Sequence, residues 1–142
     1  MTKEEFWKKL ETFAVKDPEK MPSLIRDAGK EGLPVLMASD HDRIMGCSVD
    51  GKLFAMCVTD RKRKLPAGRT IEEVDLDNAF FHEMIVAGYG GLAVETMGNV
   101  YCIPWSDIFS GKPVSNVERR LWKENFRPGR TEGRKKLKAE RG

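Results

Sequence analysis

Residues 53–58 read Leu-Phe-Ala-Met-Cys-Val, an unbroken apolar run. Side chains alternate between the two faces of a strand, so a run that is apolar at every position must be covered on both faces. Its shortness suits a strand better than a buried helix. The run therefore belongs at the centre of a sheet, with helices packed on one or both faces. Asp50-Gly51, just upstream, is a strong hairpin signal, because a type I′ turn needs positive φ at both central positions. Before it, residues 43–49 alternate, which predicts a strand with Met45, Cys47 and Val49 on one face.

The flanking sequence predicts helices on both sides of this hairpin. Thr2-x-x-Glu5 has the spacing of a capping box, and Phe6, Leu10, Phe13 and Ala14 recur behind it at helical spacing, with Trp7 widening the stripe. Asp17-Pro18 ends that pattern. A second short helix is expected over residues 23–30, with Ser23 as its cap and Gly32-Leu33-Pro34 as its exit. Residues 35–38 form a short apolar strand, and Asp40-His41-Asp42 a polar turn.

Residues 60–72 read as a polar loop, followed by a helix from position 75 or 77 to 87. In that helix Leu76, Phe80 and Met84 form one row and Phe81 and Ile85 its neighbour, with acidic residues 72, 73, 75 and 77 suiting the positive end. Gly88-Tyr89-Gly90-Gly91 stops it, and strands over 92–97 and 100–105 follow, joined at Gly98-Asn99. One helical turn is expected over 106–109. A last helix is expected over 116–126, from the capping box Ser115-x-x-Glu118 and the stripe Val117, Leu121, Trp122 and Phe126, ended by Pro128-Gly129. The expected fold is α+β: about five mostly antiparallel strands in one sheet, with helices packed against it and a helix at each terminus.

A chain of 142 residues, 40 % apolar and 33 % charged, suits one hydrophobic core under a solvated surface. Residues 1–128 are expected to be that single domain. Residues 129–142 hold one large aliphatic side chain, Leu137, among basic neighbours, and are expected to be a mobile tail. The net charge of +3 is unevenly spread: residues 118–142 carry a balance of +6, and residues 1–117 a balance of −3. The charged start does not resemble a secretory leader, and no apolar run approaches the roughly 18 residues that span a bilayer. Cys47, Cys57 and Cys102 are odd in number, form no Cys-x-x-Cys pair and lie in apolar stretches, so free, buried, inert thiols are expected. Together these absences predict a cytoplasmic protein with no membrane span.

Each catalytic pattern that nearly appears fails on an identifiable point. His82-Glu83 begins a zincin helix, but the second ligand one turn on is Val86. Gly88-Tyr-Gly90-Gly-Leu-Ala93 matches a dinucleotide fingerprint in letters, yet it follows a helix and opens a strand, the reverse of the order that presents a helix N-terminus to pyrophosphate. Gly46-Cys-Ser48-Val-Asp50 lacks the second glycine of a nucleophile elbow. Asp40, His41 and Asp42 are adjacent and cannot easily converge on one ion, so turn chemistry accounts for them. No catalytic, cofactor-binding or metal-binding residue is therefore expected.

Two basic features remain. Arg61-Lys-Arg-Lys64 reads as a solvated loop. The C-terminal segment offers candidate interaction residues: Trp122, Phe126, Arg127, Arg130, Arg134, Lys135, Lys136 and Lys138. A protein partner is the leading expectation. Nucleic acid is the alternative, since basic side chains neutralise phosphates without reading bases. An enzyme with an unrecognised site is the third reading, and homo-oligomerisation is compatible with all of them.

Gly51-Lys-Leu-Phe-Ala-Met-Cys-Val-Thr59, then a helix, then Tyr89-Gly-Gly-Leu-Ala-Val-Glu-Thr-Met-Gly-Asn-Val-Tyr-Cys-Ile-Pro104, resembles the N-terminal domain of SseB-like (enhanced serine sensitivity) proteins over residues 33–110. Val58-Thr59 stands at the family's "vFT" phrase without its aromatic, and Glu95-Thr96 replaces the usual Asn-Pro. The resemblance implies an α+β domain with no established catalytic residues, and it carries no functional residue onto this chain. On this reading the chain is a non-enzymatic interaction or accessory module, with no room for the second domain of longer members.

Overall fold

The computed structural model describes residues 1–40, 43–65, 68–110 and, by their backbone, 118–121. They form an α+β fold, with four α-helices set against one mixed, eight-stranded sheet. The helices are α1 (Lys3–Lys16), α2 (Met21–Lys30), α3 (Asn78–Val86) and α4 (Trp105–Ser110). The strands are β1 (Pro34–Asp40), β2 (Arg43–Ile44), β3 (Gly46–Val49), β4 (Lys52–Val58), β5 (Arg69–Asp75), β6 (Gly91–Thr96), β7 (Asn99–Pro104) and β8 (Glu118–Leu121).

The apolar run lies where its composition requires. β4 is flanked by β1 and β3 on one side and β6 on the other, and Phe54 to Val58 are all buried. The β4–β6 pair is parallel, while every other described pair is antiparallel. Register puts Ala55, Cys57, Leu92, Val94, Tyr101 and Ile103 on one face, in the cluster that includes Phe6, Leu10, Ile25 and Trp105 from the helices. Phe54, Ala93, Val100 and Cys102 face the other way and join Cys47 and Val49 in a smaller buried cluster.

Both capped features of the N-terminal half form as their sequences dictate. The Thr2–Glu5 capping box closes reciprocally at the start of α1, and Phe6, Trp7, Leu10 and Ala14 are buried behind it. Asp50 and Gly51 hold φ of 51° and 79° between β3 and β4, as a type I′ turn requires. The three thiols are free and buried. No helix of the described residues is long and apolar enough to cross a membrane.

Several expectations are corrected. Ser23 lies inside α2, which starts at Met21 after a 3₁₀ turn over Pro18–Lys20; the Ser23 hydroxyl donates to the Lys20 carbonyl instead of capping. Residues 43–49 are not one strand. The Met45 N–H donates to the Ala38 carbonyl and the Met45 carbonyl accepts from Met56, so the chain runs in along β1 and back out along β4. That reversal puts Met45 in the main cluster and Cys47 and Val49 in the second.

The expected loop over 60–72 contains the start of β5, which pairs with β1 along its whole length. Ile71 and Val74 are half-buried there, and Glu73 pairs with Lys3 and Arg61 instead of serving a helix end. The turn between β6 and β7 falls at Met97-Gly98, one residue earlier than expected, with both residues at positive φ. The helix expected over 116–126 is not helical where it is described, because Glu118–Leu121 is strand β8, paired antiparallel with β7. An open ladder edge on β7 offers a full row of backbone partners, which outweighs a helical side-chain period in a short segment.

Candidate functional site

None of the candidate residues of the C-terminal segment can be placed: Trp122, Phe126, Arg127, Arg130, Arg134, Lys135, Lys136 and Lys138 lie outside the described residues, as do His41 and Asp42. His82 is exposed on α3. The glycines at 88–91 make a tight connection. Gly88 holds a φ of 93°, the Gly90 N–H donates to the Leu53 carbonyl, and a Cβ on Gly91 would overlap the Ile103 carbonyl. Asp40 is buried beside Arg69 at 3.7 Å. Among the described residues no group of three or more His, Cys, Asp or Glu is placed to hold a metal ion.

Two concavities stand out instead. The first is a groove of about 540 Å³ between α2, α3 and α4, within the size range of about 300–1,000 Å³ that binding pockets occupy. Its apolar lining is Leu76, Phe81, Ile108 and Phe109, and its polar rim includes Arg26 and Lys30. Gly29 lets α2 approach this close, since a Cβ there would lie 3.1 Å from the Leu76 carbonyl oxygen. Phe81 packs edge-on against Trp105 and Phe109, with centroid separations of 5.7 and 5.3 Å, which braces the wall.

The apolar surface continues out of the groove. Phe109 is 49 % exposed, and Ile85, one turn on from Phe81 along α3, is 47 % exposed. At the rim, Arg26 donates from Nη1 to the Ser110 carbonyl and pairs through Nη2 with Asp27, while its Nε is buried with no acceptor among the described residues. Asp77 is occupied, because its Oδ1 accepts from the Phe80 N–H as the cap of α3.

The second concavity, about 570 Å³, lies between α1, the segment after β4 and the β6–β7 turn. Glu11, Thr59, Asp60, Arg63 and Glu95 through Gly98 line it. Glu95 is 1 % exposed and accepts from Arg63 Nε. Burial raises its carboxyl above the usual carboxylate range, and the Arg63 hydrogen bond and charge pull it part of the way back. Cys57, beneath, is pushed up by burial and then by the charge of Glu95, so it stays a thiol rather than a nucleophilic thiolate.

Neither concavity was found from the sequence, although each had a signal. Residues 80–86 hold more apolar side chains than one core-facing stripe of a short helix uses, which pointed to an apolar surface left outside the core. Glu95 is the one charged residue in an otherwise apolar strand segment, residues 92–95. Compared with family models, curated proteins and solved structures, the chain has no match.

Proposed function

We propose that this protein works by holding another protein in the groove between α2, α3 and α4, as a non-enzymatic interaction module. The observation that carries the reading is the apolar groove together with the exposed side chains of Phe109 in its lining and of Ile85, one turn along α3 from Phe81. A contiguous exposed apolar surface with a polar rim marks an interaction site, whereas scattered apolar residues do not. The rim selects the partner's chemistry. Arg26 and Lys30 favour a segment with an apolar side chain next to Asp or Glu, and the Arg26 Nε is a donor that a partner's oxygen would satisfy. The resemblance of residues 33–110 to SseB-like N-terminal domains favours the same reading, since that family has no established catalytic residues.

The test is a titration of isotope-labelled full-length protein with two synthetic peptides, one built on Asp/Glu-Leu-Phe repeats and one with Lys in place of every acid. The acidic peptide should shift the backbone amides of Arg26, Lys30, Phe81 and Phe109, and Arg26→Glu with Lys30→Glu should abolish those shifts. Equal response to both peptides, or shifts mapping elsewhere, would overturn the reading.

A further inference from the structure

The second cleft has a different chemistry. Glu11, Asp60 and Glu95 bring three carboxylates to it, against the one guanidinium of Arg63. Glu95 Oε1 takes the hydrogen bond from Arg63, and Oε2 is buried with no partner among the described residues. A buried carboxylate oxygen without a donor is costly, and in native proteins it calls for a specific explanation. The surrounding polar groups are held in place: Thr59 is 7 % exposed and its hydroxyl donates to Glu11 Oε2 at 3.5 Å, and Thr96 is 3 % exposed.

The rim is costly as well. Met97 is 75 % exposed and sits at a φ of 53°, a conformation that glycine or asparagine takes far more readily. The type I′ turn with Gly98 requires that φ, and it holds the Met97 side chain out over the cleft's edge.

We infer that this cleft binds a small organic cation, a primary ammonium or guanidinium compound, whose N–H groups satisfy Glu95 Oε2 and whose aliphatic stem lies against Met97. The charge balance of the lining repels anions, and a carboxylate with two oxygens can serve Arg63 on one and a ligand cation on the other. The spacing of the acidic groups does not favour a metal, since no three of them among the described residues are placed around one point. The site is separate from the groove proposed for a protein partner and does not depend on it.

The test is calorimetric titration of the full chain with agmatine and with spermidine, with 1,4-butanediol as the neutral control. At least one of the two cations should bind saturably at one site, and the diol should not bind. Glu95→Gln should weaken that binding tenfold or more, and Glu11→Gln and Met97→Asn a few-fold each. Arg26→Glu, in the other groove, should leave it unchanged. Should Glu95→Gln fail to fold, amide shifts on adding the bound cation decide the matter, because they should fall on Thr59, Thr96 and Gly98. No saturable binding by either cation, equal affinity in Glu95→Gln, or shifts centred elsewhere would overturn the proposal.

Discussion

Glu95 ties the chemistry of the molecule to its stability. Its carboxyl holds its proton more tightly in the folded chain than in the unfolded one, because burial outweighs the help from Arg63. A group with a raised folded value favours the folded state while it is protonated, so the stability that Glu95 contributes is fully present below the ordinary glutamate range. That contribution is lost as pH rises through the window above that range. Glu95→Gln keeps the shape and removes the buried charge, while Arg63, about a third exposed, can turn to solvent. The variant should therefore melt higher than the parent near neutral pH, with the difference closing on acidification. Melting curves between about pH 4 and pH 8 check this, and a variant that melts lower at every pH would contradict it. A residue whose removal stabilises the fold while weakening ligand binding is one kept for function. The single acid in an apolar strand was visible in the sequence, but its solitary Oε2 was not, because that depends on which side chains from α1 and the β4 exit arrive beside it.

At the scale of elements, the parts fixed by neighbours in sequence were legible and those fixed by distant pairing were not. The α1 capping box, the Asp50-Gly51 turn and the central position of β4 each follow from a few adjacent residues. β5 looked like loop because its side chains are mostly charged, yet it is a sheet edge, where charge is what keeps a strand from pairing with other chains. β8 carries a helical period, but the row of open backbone groups on β7 decides its conformation. This gives a prediction about the C-terminal segment. Removing residues 118–142 takes away β8 and uncovers β7 as a flat edge beside buried Val100 and Cys102, so the shortened chain should melt several degrees lower and aggregate. Removing only residues 130–142 leaves β8 in place and should leave the melting temperature within about a degree or two of the parent, since that segment has too little apolar content to contribute to a core. Light scattering and thermal melts on the two chains distinguish these outcomes, and equal behaviour would show that β8 does not protect the sheet.

For the whole molecule, the α+β class and the central place of β4 could be read from hydrophobic pattern, because burial is written into its unbroken apolar run. The surface sites could not, since the groove is assembled from α2, α3 and α4, whose residues are up to 83 positions apart from Arg26 to Phe109. The molecule thus presents two surfaces of unlike character, a basic-rimmed apolar groove and an acidic cleft, on one sheet-based frame. The claim that the groove holds a protein partner is tested most directly by placing a photo-crosslinking amino acid at Phe109 and, as a control, at Val15, which is 61 % exposed on α1. After irradiation in the native cell, position 109 should give one discrete protein adduct. Mass spectrometry should locate the crosslink in a partner segment with an apolar side chain flanked by Asp or Glu, and Arg26→Glu should remove it. No adduct at 109, the same adducts at 15, or an adduct with a second copy of this chain would contradict the account.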